Sequence, residues 1–180
     1  GNITITDSKI NITGGGISAS DGDYNVGGNI TINGSEITIN GGQFSSTGGD
    51  ILINDGTITV DGYNGFVSTG NITINGGEIT ATATEDYSYG ISAGGSVTIN
   101  GGVITATATG DYSYGIAGNT ITLGDATITA SSYNIYGSIK IADDLTLSDG
   151  TDAYSGTLYD SSNSSNGNFG DLAALNVAQS

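Results

Sequence analysis

A short internal repeat constrains the fold of this chain more than any other feature of its sequence. Residues 70–84 read GNITINGGEITATAT and residues 96–109 read SVTINGGVITATAT, and each copy soon runs into Asp-Tyr-Ser-Tyr-Gly-Ile. Looser copies follow one another at steps of 18 to 27 residues. Their first apolar residues are Ile3, Ile30, Ile51, Ile72, Val97, Ile121 and Ile139. Self-similarity at this period predicts a stack of similar structural units.

Each repeat contains three short apolar segments. In the first two, apolar residues alternate with polar ones, as in Ile30-Thr31-Ile32, which is typical of a strand with one buried face. The second segment starts at a fixed distance from the first, and a third segment follows it. Members of the third group are Phe66-Val67, Ile91, Ile116 and Ile135. The pattern predicts an all-β fold, a parallel β-solenoid (β-helix) of about six to seven coils with three short strands per coil.

A stack of antiparallel hairpins is the main structural alternative. Asn-Gly between two alternating runs, as at Asn33-Gly34 or Asn75-Gly76, is a strong hairpin signal. The solenoid is favoured because inserts of variable length fall after the second strand, whereas the first two strands keep their spacing. The repeat pattern stops near Thr151. We therefore predict a parallel β-helix over residues 1–151 and a C-terminal cap or tether over residues 152–180.

Stacked coils turn equivalent residues into columns about 4.8 Å apart. The expected inner column is Ile32, Ile53, Ile74 and Ile99, and the expected corner column is Asn33, Asn54, Asn75 and Asn100. Stacked amides can hydrogen-bond along such a column. Thr residues are expected to point outward, most densely in residues 80–84 and 105–109. A flat Thr array would bind ordered water, so ice binding is one functional hypothesis.

The charge of the chain restricts its partners. The chain has 18 acidic residues and only two basic ones, Lys9 and Lys140, so its net charge is −16. Because only two basic side chains could neutralise phosphates, the charge argues strongly against a nucleic-acid partner, and an anionic membrane surface is disfavoured. The chain has no apolar run long enough for membrane insertion. Neutral sugars, cations such as Ca²⁺, or acidic polymers bridged by cations are the expected partners.

Catalysis has little support in the residue types. The chain lacks Arg, His and Cys, so a strong base beside metal-binding carboxylates and an activated nucleophile are both missing. Asp143-Asp144 and Glu85-Asp86 are adjacent acidic pairs, but neighbours in a strand point to opposite faces. We therefore predict that the chain is not an enzyme.

The best-marked surface feature is the repeated Asp-Tyr-Ser-Tyr segment. Asp86 is expected near Asp111, and two tyrosine pairs are expected to stack one coil apart, Tyr87 with Tyr112 and Tyr89 with Tyr114. Tyr24, Tyr63 and Tyr133 fall at similar points of other repeats. Stacked tyrosines can simply cover a corner, or they can form a platform for sugar rings. Glu85, Asp86 and Asp111 together are a hypothetical Ca²⁺ site, because clustered carboxylates suit that cation.

The repeat resembles a known family. Residues 72–81, followed by Tyr89-Gly90-Ile91-Ser92-Ala93, are similar to secreted bacterial carbohydrate-binding β-helix proteins, non-catalytic relatives of the pectate-lyase superfamily. The resemblance covers about residues 1–150 and implies a right-handed parallel β-helix that binds acidic plant polysaccharides, often with calcium, outside the cell or at a bacterial cell surface. Tyr89 and Tyr114 stand where that family has an Asp before Gly-Ile, so these positions cannot hold calcium in the family's manner.

Two main functions therefore stay open. The first is a non-catalytic, secreted or cell-surface module for carbohydrate binding or adhesion, with polysaccharide or surface glycan as its partner. The second is a structural spacer or filament subunit of an extracellular fibre, which predicts self-association. Ice binding is the third hypothesis.

Overall fold

The computed structural model of the chain describes residues 1–20, 27–130, 135–141, 145–148, 153–154 and 175–179. Within these ranges every regular element is a β-strand, and the strands wind into a solenoid in which each coil pairs with the next. The same ranges contain no helix that could cross a membrane. The predicted all-β, parallel solenoid is therefore confirmed.

Each of the first four coils has three separate strands. The first strands are β1 (Ile3–Thr6), β4 (Ile30–Asn33), β7 (Ile51–Ile53) and β10 (Ile72–Ile74). The second strands are β2 (Lys9–Thr13), β5 (Ser35–Asn40), β8 (Gly56–Gly62) and β11 (Glu78–Ala83). The third strands are β3 (Ile17–Ala19), β6 (Phe44–Ser46), β9 (Phe66–Ser68) and β12 (Tyr89–Ala93).

The following strands run through corners that interrupt the earlier ones. β13 (Ser96–Ala108) supplies the first two strands of the fifth coil. β14 (Tyr114–Ala130) supplies its third strand and then stacks on β13, and β15 (Ile135–Ile141) stacks on β14. The remaining strands are β16 (Leu145–Ser148), β17 (Ala153–Tyr154) and β18 (Leu175–Gln179).

Parallel pairing between equivalent strands rules out the hairpin alternative. Ile30 lies between Ile3 of the preceding coil and Ile51 of the following one, and both pairings are parallel. The two segments that flank Asn33-Gly34 do not pair with each other; each pairs with its counterpart one coil away. The Asn-Gly turn is therefore a corner of the coil.

The interior is a set of apolar columns, as the alternation of Ile and Thr predicts. Ile32, Ile53, Ile74 and Ile99 pair in register and are fully buried. Each fully buried aliphatic side chain contributes roughly 1.5–3 kcal/mol relative to an exposed one. On the third strands, Phe44 stacks on Phe66 with ring centroids 5.2 Å apart. Several buried apolar residues per coil explain how the fold holds without disulfides.

The Asn corner is a continuous amide ladder, which confirms the predicted column. Asn54 Nδ2 donates to Asn33 Oδ1 over 2.7 Å, Asn75 Nδ2 to Asn54 Oδ1 over 2.8 Å, and Asn100 Nδ2 to Asn75 Oδ1 over 2.8 Å. Each amide donates towards the preceding coil and accepts from the following one. The ladder therefore holds neighbouring coils in register at a solvent-exposed corner.

Glycine occupies the second position after the corner Asn in three coils, because neighbouring backbones approach closely there. Gly56, Gly77 and Gly102 have φ of 138°, 96° and 98°. A Cβ on Gly77 would lie 2.4 Å from the carbonyl oxygen of Gly56. Both the backbone conformation and the contact with the coil below therefore require glycine.

The solenoid has about five turns, and its first strands pair in parallel as far as Ile139, where the last predicted repeat begins. Antiparallel pairing follows near the end of the chain. β16 pairs antiparallel with β17 and β18, and β18 also pairs antiparallel with β14. The division at residue 151 stays a prediction, since most of residues 152–180 lie outside the described ranges. The right-handed winding also stays a prediction, in line with the rule for parallel crossovers.

Candidate functional site

The fourth and fifth coils differ from the third by an enlarged corner between their second and third strands. Ala83 pairs with Gly62 and Ile91 pairs with Phe66, so four extra residues lie between the paired positions in the fourth coil. The insertion contains the Asp-Tyr-Ser-Tyr segment. We call residues 84–89 and 109–114 the tyrosine corner.

Buried serines hold the two loops of the tyrosine corner together. Ser88 and Ser113 are fully buried, and the backbone N–H of Ser88 donates to Ser113 Oγ over 3.0 Å. Both hydroxyls donate to the carbonyl oxygen of Glu85, that of Ser113 over 3.0 Å. The serines therefore satisfy backbone groups inside the corner, and the adjacent side chains are directed outward.

Tyr87 and Tyr112 occupy an unusual backbone conformation. Their φ values are 56° and 55°, in the left-handed region that bulky residues rarely adopt. A non-glycine residue held there costs on the order of 1–3 kcal/mol, and such residues are concentrated at functional sites. The same conformation recurs at the same position of two consecutive coils. The hydrogen bond from Tyr87 N–H to the Asp111 carbonyl, 2.9 Å long, links the two loops at this point.

The predicted tyrosine pairs are both present. The rings of Tyr87 and Tyr112 lie 5.3 Å apart with an interplanar angle of 13°, and those of Tyr89 and Tyr114 lie 6.1 Å apart at 14°. These distances indicate offset stacking. Tyr87 and Tyr112 remain 65% and 60% exposed, so much of each ring stays open to solvent. Tyr89 and Tyr114 are half-buried.

The acidic residues of the tyrosine corner are the predicted ligands of a Ca²⁺ ion. Asp86 and Asp111 do lie together, because Asp86 Oδ1 accepts the backbone N–H of Asp111 over 2.8 Å. Among the described residues, however, no group of three or more acidic side chains is placed to hold a metal ion. Calcium binding by Glu85, Asp86 and Asp111 stays a prediction.

Other aromatic residues flagged by the sequence have different positions. Tyr63 is 56% exposed at the corresponding corner of the third coil. Tyr24 and Tyr133 lie outside the described residues. The sequence analysis missed Tyr136, which is 57% exposed and whose ring lies 5.1 Å from that of Tyr114 at 47°. The recurring Tyr-Gly dipeptide, at residues 89–90, 114–115 and 136–137, is the signal that would have found it.

The outward Thr columns are regular but short. Thr38, Thr59, Thr80 and Thr105 pair in sequence along the second strands. The neighbouring column holds Thr13, Thr82 and Thr107, but Asn40 and Asp61 occupy it in the second and third coils. Within the described residues, both columns therefore hold Thr only in the fourth and fifth coils.

Comparisons with protein-family models, with curated proteins and with solved structures gave no match to this chain. The geometry of the chain itself therefore carries the functional argument.

Proposed function

We propose that the chain is a non-catalytic carbohydrate-binding module that acts outside the cell or at a cell surface, and that its tyrosine corner contacts the glycan. The observation that carries this proposal is the stacked, exposed pair of Tyr87 and Tyr112 in left-handed conformation. Tyrosine presents a large apolar face and a hydroxyl, a combination that suits the C–H face and the hydroxyls of a sugar ring. Two such rings on adjacent coils form an extended contact surface.

The surrounding charge selects a neutral glycan. Glu85, Asp86 and Asp111 are exposed at the same corner, and the chain carries a net charge of −16. Carboxylates of the corner and those of an acidic polymer would repel each other. A neutral polysaccharide is therefore favoured over the acidic polymers that the family resemblance implies.

Backbone strain supports binding over a purely covering role for the tyrosines. A side chain that only covers a corner would not require a left-handed backbone, which costs stability. The strained geometry directs both rings outward and leaves more than half of each exposed. The corner is therefore organised to present the rings.

Polysaccharide pull-down tests this proposal. We expect the chain to co-sediment with at least one insoluble neutral polysaccharide from a panel of cellulose, xylan, mannan and mixed-linkage glucan. Tyr87→Ala combined with Tyr112→Ala should abolish that retention, because both rings are removed. Tyr63→Ala is the matched control, since it removes an equally exposed tyrosine from another coil. Failure of the unmodified chain to bind any neutral polysaccharide would contradict the proposal.

A further inference from the structure

A second concave site lies beside the tyrosine corner, on the outward face of the third strands. This groove has a cavity volume of about 180 Å³. Tyr89 and Tyr136 line it together with the small residues Gly94, Ala117 and Gly118. Because these small residues have minimal side chains, the space beside them stays open.

A local irregularity in strand pairing creates the concavity. Ala117 pairs with Tyr136 and Thr120 pairs with Ser138, so residues 118–119 lie opposite the single residue Gly137. Gly137 has φ of 146°, and a Cβ there would lie 1.9 Å from the carbonyl oxygen of Gly118. Such bulges bend a strand and redirect its side chains, and they are common beside functional sites. Tyr136 is the residue before Gly137 and lies at the edge of the groove.

The side chains that line the groove are neutral. None of the described residues that line it carries a charge, although the chain as a whole is strongly acidic. Two polar side chains, those of Ser92 and Asn119, lie among the tyrosines and small residues. Asn119 Nδ2 donates to the Gly94 carbonyl over 2.8 Å, which orients the amide at the rim. The groove thus combines aromatic surface with hydroxyl and amide groups.

We infer that this groove binds a single neutral sugar ring, as a subsite separate from Tyr87 and Tyr112. Sites for larger ligands enclose about 300–1,000 Å³, so this volume suits one pyranose ring. Tyr89 and Tyr136 would contact its C–H faces, and Ser92 and Asn119 would hydrogen-bond its hydroxyls. The inference rests on the proposed function for its ligand class and adds a binding position that the tyrosine corner does not supply.

Titration with methyl glycosides tests the inference. Neutral methyl pyranosides (gluco, galacto, manno and xylo) and the anionic methyl glucuronide are added separately, and ligand-observed NMR is used to measure the dissociation constant. We expect at least one neutral glycoside to bind, and the glucuronide to bind at least tenfold more weakly. Tyr136→Ala should weaken binding about tenfold, as removal of one aromatic contact does.

Ser92→Val provides a second variant that is compatible with the fold. Ser92 pairs with Val67 of the preceding coil, so a Val side chain is already accommodated at this position of the solenoid. The added methyl groups should fill the groove, remove the hydroxyl and abolish glycoside binding. Tyr63→Ala and the double variant Tyr87→Ala with Tyr112→Ala should leave glycoside binding unchanged.

The outcomes separate the two proposals. If neutral polysaccharides bind through Tyr87 and Tyr112 but no methyl glycoside binds, the groove inference is wrong and the proposed function stands. Glycoside binding that survives both Tyr136→Ala and Ser92→Val also overturns the inference. Loss of glycoside binding in these two variants, with retention in the tyrosine-corner variant, supports it.

Discussion

At the scale of single residues, Tyr87 and Tyr112 combine a left-handed backbone with a ring that is exposed to solvent. An aromatic side chain in a left-handed conformation is destabilising by about 1–2 kcal/mol, because its Cβ approaches a carbonyl oxygen. This destabilisation occurs at both Tyr87 and Tyr112 in the same corner. Interactions beneath the two tyrosines offset this destabilisation, above all the hydrogen bonds of the buried Ser88 and Ser113 hydroxyls.

The strain makes a prediction about two substitutions at one position. Tyr87→Gly should be more stable than Tyr87→Ala by about 1 kcal/mol, because glycine adopts the left-handed conformation without steric cost. The free energies of unfolding are measured by urea denaturation. At Tyr63, whose φ is not positive, the order should reverse, with the Gly variant less stable than the Ala variant by about 0.5–1 kcal/mol. The same order at both positions would show that the φ of Tyr87 carries no strain.

Sequence reasoning at this scale succeeded for side chains that follow the repeat and failed where local backbone geometry decides. The Asn33 to Asn100 ladder and the two tyrosine pairs are readable from spacing alone, because stacking places equivalent residues side by side. The left-handed backbone at Tyr87 and the hydrogen bond that Asp86 accepts from Asp111 set the directions of side chains in the tyrosine corner. Neither can be read from residue order.

At the scale of secondary-structure elements, the corners of the coil differ in residue type and in how much their length varies. One corner is an Asn ladder followed by glycines, and it keeps the same geometry in successive coils. The corner between second and third strands changes in length from coil to coil. Close backbone contact at the first corner leaves no space for insertion, whereas loops at the second extend into solvent.

This difference predicts the effect of adding a methyl group at two adjacent glycines. Gly77→Ala should destabilise the fold by about 2 kcal/mol or more, because its φ is left-handed and its Cβ would lie 2.4 Å from the Gly56 carbonyl oxygen. Gly76→Ala is the control, since its nearest contact would be an ordinary 3.4 Å from the Asn54 carbonyl oxygen. It should change stability by less than about 0.5 kcal/mol. Equal effects of the two substitutions in urea denaturation would contradict the close stacking at this corner.

The elements themselves were largely predictable, and the groove was not. Ile32 and its equivalents gave the strands and their buried faces, because a period of two identifies the inner side directly. The groove depends on the extra residue opposite Gly137, and a one-residue irregularity leaves no trace in the hydrophobic pattern. Tyr136 itself could have been found from the Tyr-Gly dipeptide at residues 136–137, but its place at the edge of a groove could not.

At the scale of the whole molecule, the first coil is more exposed than the second to fifth coils. Among the described residues, β1, β2 and β3 each pair with the second coil on one side only. The side chains of Ile3, Ile5, Ile10 and Ile12 are only partly buried against the core. Unpaired strand edges of this kind are templates for association with another chain. The net charge of −16 opposes that association at low salt.

The hypothesis of a filament or spacer therefore has a defined test. We expect the sedimentation coefficient to rise with protein concentration in 0.5 M NaCl, where charge repulsion is screened, and to stay constant at low salt. Thr4→Lys and Asn11→Lys place long, strongly hydrated side chains on the exposed edge strands, and the cost of removing their water should suppress the association even in 0.5 M NaCl. Thr73→Lys adds the same charge on an inner coil and serves as the control. A constant sedimentation coefficient in both buffers would argue against self-association through the first coil.

The enlarged corner has a consequence for how such a protein can acquire new specificity. Its four additional residues occur in two consecutive coils and leave the pairing of the strands on either side unchanged. Duplication of one 25-residue unit would therefore lengthen the row of tyrosines by one ring while preserving the register of the scaffold. The aromatic surface grows in whole repeats, and under the proposed function the length of glycan that it contacts would increase with the number of repeats.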